Sequence, residues 1–152
     1  MNTLLIYETQ YGNTEQIAER IASRLEKAGR VRSVPLSEAG KPYFGGINLV
    51  VLGCPTQMHG LSKAMRELMT AMTDLDRVRL AVFDTRYKMP RWVTGSAAQV
   101  MGDYIQDHGG ILALPPESFF VMQPQGPLVA GELSRAEQWG ESIIEAVKLI
   151  AA

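Results

Sequence analysis

Apolar residues along the chain fall into short continuous runs that alternate with longer stretches of helical spacing. The first run, Leu4-Leu5-Ile6-Tyr7, predicts a strand over about Thr3–Tyr7. Apolar positions then recur at Ile17, Ala18, Ile21, Ala22 and Leu25. This spacing predicts a helix from about Thr14 to Ala28, with Glu15, Glu19, Arg20 and Arg24 outside and Gly29 as its stop. Val31–Leu36 reads as a short second strand. Asn48–Gly53 reads as the strongest one, continuously apolar as expected when both faces are covered. A helix over about Ser62–Met72 follows, with Ala64, Met65, Leu68 and Met72 on one side, and then a fourth strand, Leu80–Asp84.

The next helix opens at Ser96, with Gln99 three residues on as a capping box, and runs to about Asp107 before Gly109-Gly110. Ile111–Leu114 begins a fifth strand, which can resume as Phe119–Met122 after the Pro115-Pro116 break. The last helix is announced by a capping box, Ser134 to Glu137, and by a stripe of Ala136, Trp139, Ile143, Val147 and Ile150. Five strands alternating with helices imply an α/β domain with a parallel sheet and right-handed crossovers, spanning residues 1–152 without a linker or repeat.

Composition narrows the class further. The 152 residues are 46% hydrophobic and 20% charged, ordinary for a globular chain with one core. No apolar run nears the ~20 residues that span a bilayer, and the N-terminus reads as a strand rather than a signal peptide. A single cysteine excludes an internal disulfide framework, and a cytoplasmic location is expected. The net charge of −1 points to neither nucleic-acid binding nor a strongly acidic docking surface.

The chemistry concentrates at Thr9-Gln10-Tyr11-Gly12-Asn13-Thr14, between the first strand and the first helix. Such a junction aims free backbone N–H groups and the positive end of the helix dipole into the loop. Two threonine hydroxyls and two amides add neutral donors, and no Lys or Arg is present. The loop is therefore suited to a phosphate held by dipoles and hydroxyls. A P-loop would need its Lys, and a dinucleotide fingerprint would need glycines that Gly12 alone does not supply. A terminal phosphomonoester, as in a mononucleotide, fits; simple capping of the helix by Thr and Asn is the alternative.

Leu5-Ile6-Tyr7-Glu8-Thr9, with Gly12, Thr14 and Ala18, resembles the N-terminal signature of flavodoxin-like proteins, which bind FMN. The resemblance implies a doubly wound, five-stranded sheet of order 2-1-3-4-5 in a three-layer α/β/α sandwich. Flavodoxin itself is a standard example of that order, with FMN at the switch point between the first and third strands. The short-chain type is implied, because the chain has little room for the insertion that long-chain flavodoxins carry between Pro115 and Leu128, a span that four prolines make stiff and mostly irregular. On this likeness the FMN-binding set is Thr9, Gln10, Tyr11, Gly12, Asn13 and Thr14 in the first loop, with Pro55, Thr56, Gln57, Met58, His59 and Gly60 in the second. Asp84, Thr85, Arg86, Tyr87, Trp92, Gly95 and Ser96 complete it from the third.

Trp92, Tyr87 and Met58 are the candidates for the faces of a flavin ring, and Gly60 could bring a backbone carbonyl to its N5. Cys54 reads as a small buried hydrophobe and His59 as a loop histidine. The third loop departs from the acidic, glycine-rich loop of electron-carrier flavodoxins: Arg86, Lys88 and Arg91 against Asp84 leave it net positive by two. Cations near the ring favour its reduced, anionic form, so a less negative potential than in those carriers is expected.

The leading expectation is a small FMN redox protein that passes electrons to a partner protein or a small acceptor. Direct oxidoreductase action on a quinone or porphyrinogen is the alternative, and a cofactor-free interaction module the second. A phosphoacceptor receiver does not fit, because Glu8 stands alone and Cys54-Pro55 occupies the place of its aspartate. No residue stands out as catalytic, and no cluster has metal-ligand spacing.

Overall fold

The apolar runs form the middle of one parallel sheet in the computed structural model, which describes residues 1–73 and 75–151. In chain order its main elements are β1 (Asn2–Tyr7), α1 (Asn13–Leu25), β2 (Arg30–Pro35), α2 (Leu36–Ala39), β3 (Leu49–Pro55) and α3 (Lys63–Ala71). There follow β4 (Arg79–Tyr87), α4 (Arg91–Thr94), α5 (Ala97–Asp107), β5 (Ile111–Leu112), β6 (Glu117–Val121) and α6 (Glu132–Ala151). The strands run β2-β1-β3-β4-β5, and β6 joins β4 beyond β5. The order 2-1-3-4-5 implied by the resemblance holds.

Strand alternation divides the core in two. Leu4, Ile6, Val50, Leu52, Leu80 and Val82 face Met65 and Leu68 of α3 and Met101 and Ile105 of α5. Leu5, Val51 and Phe83 face Ile17, Ile21 and Leu25 of α1 and Ala136, Trp139 and Ile143 of α6. Each such side chain, fully removed from water, contributes about 2 kcal/mol of hydrophobic stabilisation. Phe83, Phe119 and Trp139 meet edge-on, with centroids 5.9–6.0 Å apart.

Several boundaries differ from expectation, each for a tertiary reason. β4 runs to Tyr87 instead of stopping at Asp84, because Thr85, Arg86 and Tyr87 pair with Phe119, Phe120 and Val121 of β6. α6 begins at Glu132, not at Ser134: the buried Glu132 carboxylate accepts the Phe120 N–H at 2.7 Å and pairs with Arg135 at 2.9 Å. The predicted capping box there is not used. Ile144 is buried in α6, whereas Val147 is half-buried and Ile150 exposed. In α3, Met69 takes the core position expected for Ala64, which is exposed. The first helix stops at Leu25 and tightens into a 3-10 turn over Glu26–Ala28.

The outer edge of β6 is closed by the chain itself. The Ser118 N–H donates to Glu117 Oε1 and the Phe120 N–H to Glu132. Arg135 donates to the Ser118 carbonyl, Val129 N–H to the Phe120 carbonyl, and Met122 N–H to the Pro127 carbonyl.

Candidate functional site

A cleft of about 470 Å³ opens where the C-terminal ends of β1, β3 and β4 meet. In a doubly wound sheet this is the switch point, where neighbouring connections leave in opposite directions and part the loops. A second hollow of about 640 Å³ lies on the other side of Glu8, over Pro35, Leu36 and α3. Of the loop at the start of α1 it touches only Thr9, so the first cleft is the candidate.

The floor comes from the first loop. Thr9 Oγ1 accepts the Gly12 N–H at 2.9 Å and folds the loop back on itself. Gly12 takes φ 91°, a left-handed value open to glycine, and this turns the chain into α1. No side chain caps α1. Its first N–H groups are therefore left for whatever enters the cleft, at the positive end of the dipole. Thr14, buried, shares a 2.9 Å hydrogen bond with the Thr85 hydroxyl of β4, so the phosphate-type loop is tied to the middle of the sheet. Thr9, Gln10, Tyr11, Asn13 and Thr14 line the cleft; Gly12 shapes the turn without lining it.

The second loop is a tight turn. Gln57 and Gly60 exchange backbone hydrogen bonds of 2.9 and 2.8 Å, which leaves Met58 and His59 at its tip with φ 45° and 68°. Left-handed values at two non-glycine residues carry strain of about 1–2 kcal/mol each. A neighbour holds them there. His59 Nε2 lies 2.9 Å from the Val93 carbonyl, a contact that requires its proton on Nε2, and His59 pairs with Gly95. Gly95 itself has φ 70°, and a Cβ there would sit 2.2 Å from the His59 carbonyl oxygen. Pro55, Thr56, Gln57, Met58 and His59 line the cleft, while Gly60 is buried behind them with its polar backbone engaged.

The third side is strand and loop together. Thr85, Arg86 and Tyr87 of β4, then Met89, Val93 and Thr94, face the cleft. Arg86 is the single charged side chain in the lining, and no Asp or Glu appears there among the described residues. It is anchored on every side: Nε donates to Ser118 Oγ at 2.9 Å, and Nη1 to the Met89 carbonyl at 2.6 Å and Thr94 Oγ1 at 3.2 Å. Its guanidinium also covers the Phe120 ring at 5.2 Å. Burial lowers its pKa from the ordinary value, with Asp84 opposing.

Asp84 and Ser96 are placed behind the wall. Asp84 is fully buried, and its Oδ2 accepts from Ser96 Oγ at 2.6 Å, Ala98 N at 3.0 Å and Thr56 Oγ1 at 3.2 Å. Its Oδ1 has no hydrogen-bond partner and lies 3.9 Å from Arg86 Nε. This carboxylate ties the second loop to the start of α5, where Ser96 also caps by accepting the Gln99 N–H at 3.2 Å. Gln99 does not complete the capping box; its side chain reaches Asp103 and Arg91. Trp92 does not line the cleft; it projects from α4 and is 85% exposed. Burial raises the Cys54 thiol well above its usual range, with Asp84 and then Glu8 adding to the effect.

Met89, Val93, Thr94, Val121 and Pro124 line the cleft without having been singled out in the sequence. Val121 and Pro124 come from the proline-rich stretch after β5. Its four prolines are plain in the sequence, but its return to the cleft depends on β6 pairing with β4.

No curated protein sequence matches the chain. Solved structures match it along nearly all of its length. A flavodoxin from the domain Archaea aligns with TM-score 0.78 at 17% identity, covering 97% of this chain and 99% of that one. Oxidised flavodoxin 2 from Bacillus cereus gives 0.78 at 16%, over 95% and 99%. A flavodoxin, WrbA-like protein from Agrobacterium tumefaciens gives 0.70 at 18%, over 97% and 98%. At these identities the likeness establishes the fold. Residues 4–116 match the flavodoxin domain family, and with most of the chain inside that match the protein belongs to it.

Proposed function

We propose that the cleft binds FMN and that the protein is a small redox carrier. One observation supports this most: the uncapped start of α1, folded by Thr9 and Gly12 and tied to β4 through Thr14 and Thr85, forms the floor of an otherwise mostly apolar cleft. Thr9, Asn13, Thr14 and the first N–H groups of α1 would hold the phosphate without a point charge. Tyr87 and Met58, from the third and second loops, would cover the ring; Trp92 does not line the cleft. FMN supplies the electron chemistry when bound, and the chain supplies its position and its field. Arg86 gives that field a positive sign, fixed by its hydrogen bonds to Ser118, Met89 and Thr94 and by the Phe120 ring, and so favours the reduced ring. A reducing cytoplasm agrees with the one buried thiol.

Purified protein saturated with FMN should keep its flavin bands through gel filtration. A colourless protein would instead make the domain a cofactor-free interaction module. Redox titration should then find a less negative hydroquinone couple than in acidic electron-carrier flavodoxins, and replacement of Arg86 should lower it.

A second reading has its own observation. With no carboxylate in the lining and an open mouth, the cleft admits a flat apolar acceptor such as a quinone or a porphyrinogen. Steady-state reduction of a soluble quinone that saturates with its concentration would favour that reading over a shuttle.

A further inference from the structure

The loop after β4 has two sides with different chemistry. Tyr87, Met89, Val93 and Thr94 face the cleft, whereas Lys88, Arg91 and Trp92 do not line it. Lys88 and Arg91 are exposed, and Trp92 is 85% exposed, so a large indole stands in water beside two cations. Neither cation forms an ion pair among the described residues. Arg91 donates to Gln99 Oε1, and Asp103 is reached only through Gln99.

The loop is not loose. Arg86 holds it from beneath through the Met89 carbonyl and Thr94 Oγ1, Pro90 precedes the α4 turn, and His59 grips the Val93 carbonyl. A rigid turn that exposes Trp and two cations pays little ordering entropy on association. Trp and Arg are also the side chains most often found at the energetic centre of protein interfaces.

We propose that Lys88, Arg91 and Trp92 form a docking knob for a protein with an acidic surface around its own redox centre. The proposal rests on the redox reading, since that is what brings a partner to this mouth. A small acceptor inside the cleft would not meet these three side chains, because they do not line it. Charge complementarity selects the acidic partner: the cations lack intramolecular carboxylates, and the cleft they flank contains Arg86 and no acid.

The probes are an acidic plant-type ferredoxin, a basic c-type cytochrome and phosphatidylglycerol vesicles, titrated calorimetrically against the full chain with and without added FMN. Ferredoxin should bind at least about tenfold tighter than the cytochrome, with affinity falling as salt rises. The double variant Lys88→Glu/Arg91→Glu should weaken ferredoxin by about tenfold or more and strengthen the cytochrome, while retaining FMN as the parent does. Trp92→Ala should weaken ferredoxin by about tenfold with the salt dependence unchanged. Equal binding of the two proteins, indifference to the double variant, or preference for the vesicles overturns the docking knob. Ferredoxin binding through these residues by a protein that holds no FMN would uphold the knob and overturn the cofactor reading. Retained FMN with no ferredoxin binding would do the reverse.

Discussion

The first and third loops of the cleft are built in opposite ways. The first is made by its own sequence: Thr9 bonds Gly12 three residues on, Gly12 adopts the left-handed turn, and α1 begins. The third is held by residues far away in the chain. Arg86 is fixed by Ser118, Asp84 by Thr56, and Val93 by His59. A loop of the first kind can be altered one hydrogen bond at a time. A loop of the second kind shares its anchors with the second loop and β6, so one substitution disturbs several walls.

Loss of Arg86 should separate the two most sharply. Arg86→Leu removes the partner of Ser118 Oγ and the Met89 carbonyl and the cation beside the buried Asp84 Oδ1, and should destabilise the apoprotein by about 3 kcal/mol in urea denaturation. Thr9→Ala should cost only about 1 kcal/mol by the same measurement. Equal losses would erase the distinction. Gly95→Ala comes next, at about 2 kcal/mol, because it combines a left-handed φ with a Cβ driven against the His59 backbone. Faster amide exchange should spread to Gln57–Gly60 as well as to the altered loop.

His59 tests whether the second and third loops act as one. His59→Ala should lose about 1–2 kcal/mol and weaken FMN binding. His59→Gly relieves the strain but not the lost contact to Val93, so it should recover stability and leave FMN weakly bound. Full recovery of both would show that the contact does nothing. Thr14→Val removes one buried hydrogen bond from the first loop and should cost about 1 kcal/mol, with a larger loss in FMN affinity than in stability.

The smallest effect concerns Cys54, whose pKa burial raises well above the ordinary value. Above about pH 8.5 the unfolded thiol ionises while the folded one keeps its proton. The folded state then binds more protons, so stability falls as pH rises through that range and is unaffected below it. A Cys54→Ala variant should lose that alkaline slope, and the parent should resist alkylation while folded.

The same contrast explains what could be read in advance. The alternation of strands and helices follows from periodicity, whereas the sheet order comes from the resemblance carried by the N-terminal motif. The end of β4 was misplaced because Thr85, Arg86 and Tyr87 become strand only when β6 pairs with them. Ser134 offered a good capping box, yet α6 starts at Glu132, whose carboxylate is committed to a strand edge. Trp92 is a sensible candidate by residue type; its exposed place on the α4 turn, outside the cleft lining, is marked by no periodic signal. Asp84 and Ser96 carried the right chemistry, but their burial behind the cleft wall is a tertiary fact.

The closed margin of β6 has a consequence for assembly. Its outward amides and carbonyls are all engaged, by Glu117, Glu132, Arg135, Val129 and Pro127. A sheet whose last strand has no free backbone groups gives another chain nothing to add a strand to. Strand addition alongside β6 is therefore blocked. The margins left for strand-to-strand self-association are β2 and the two-residue β5.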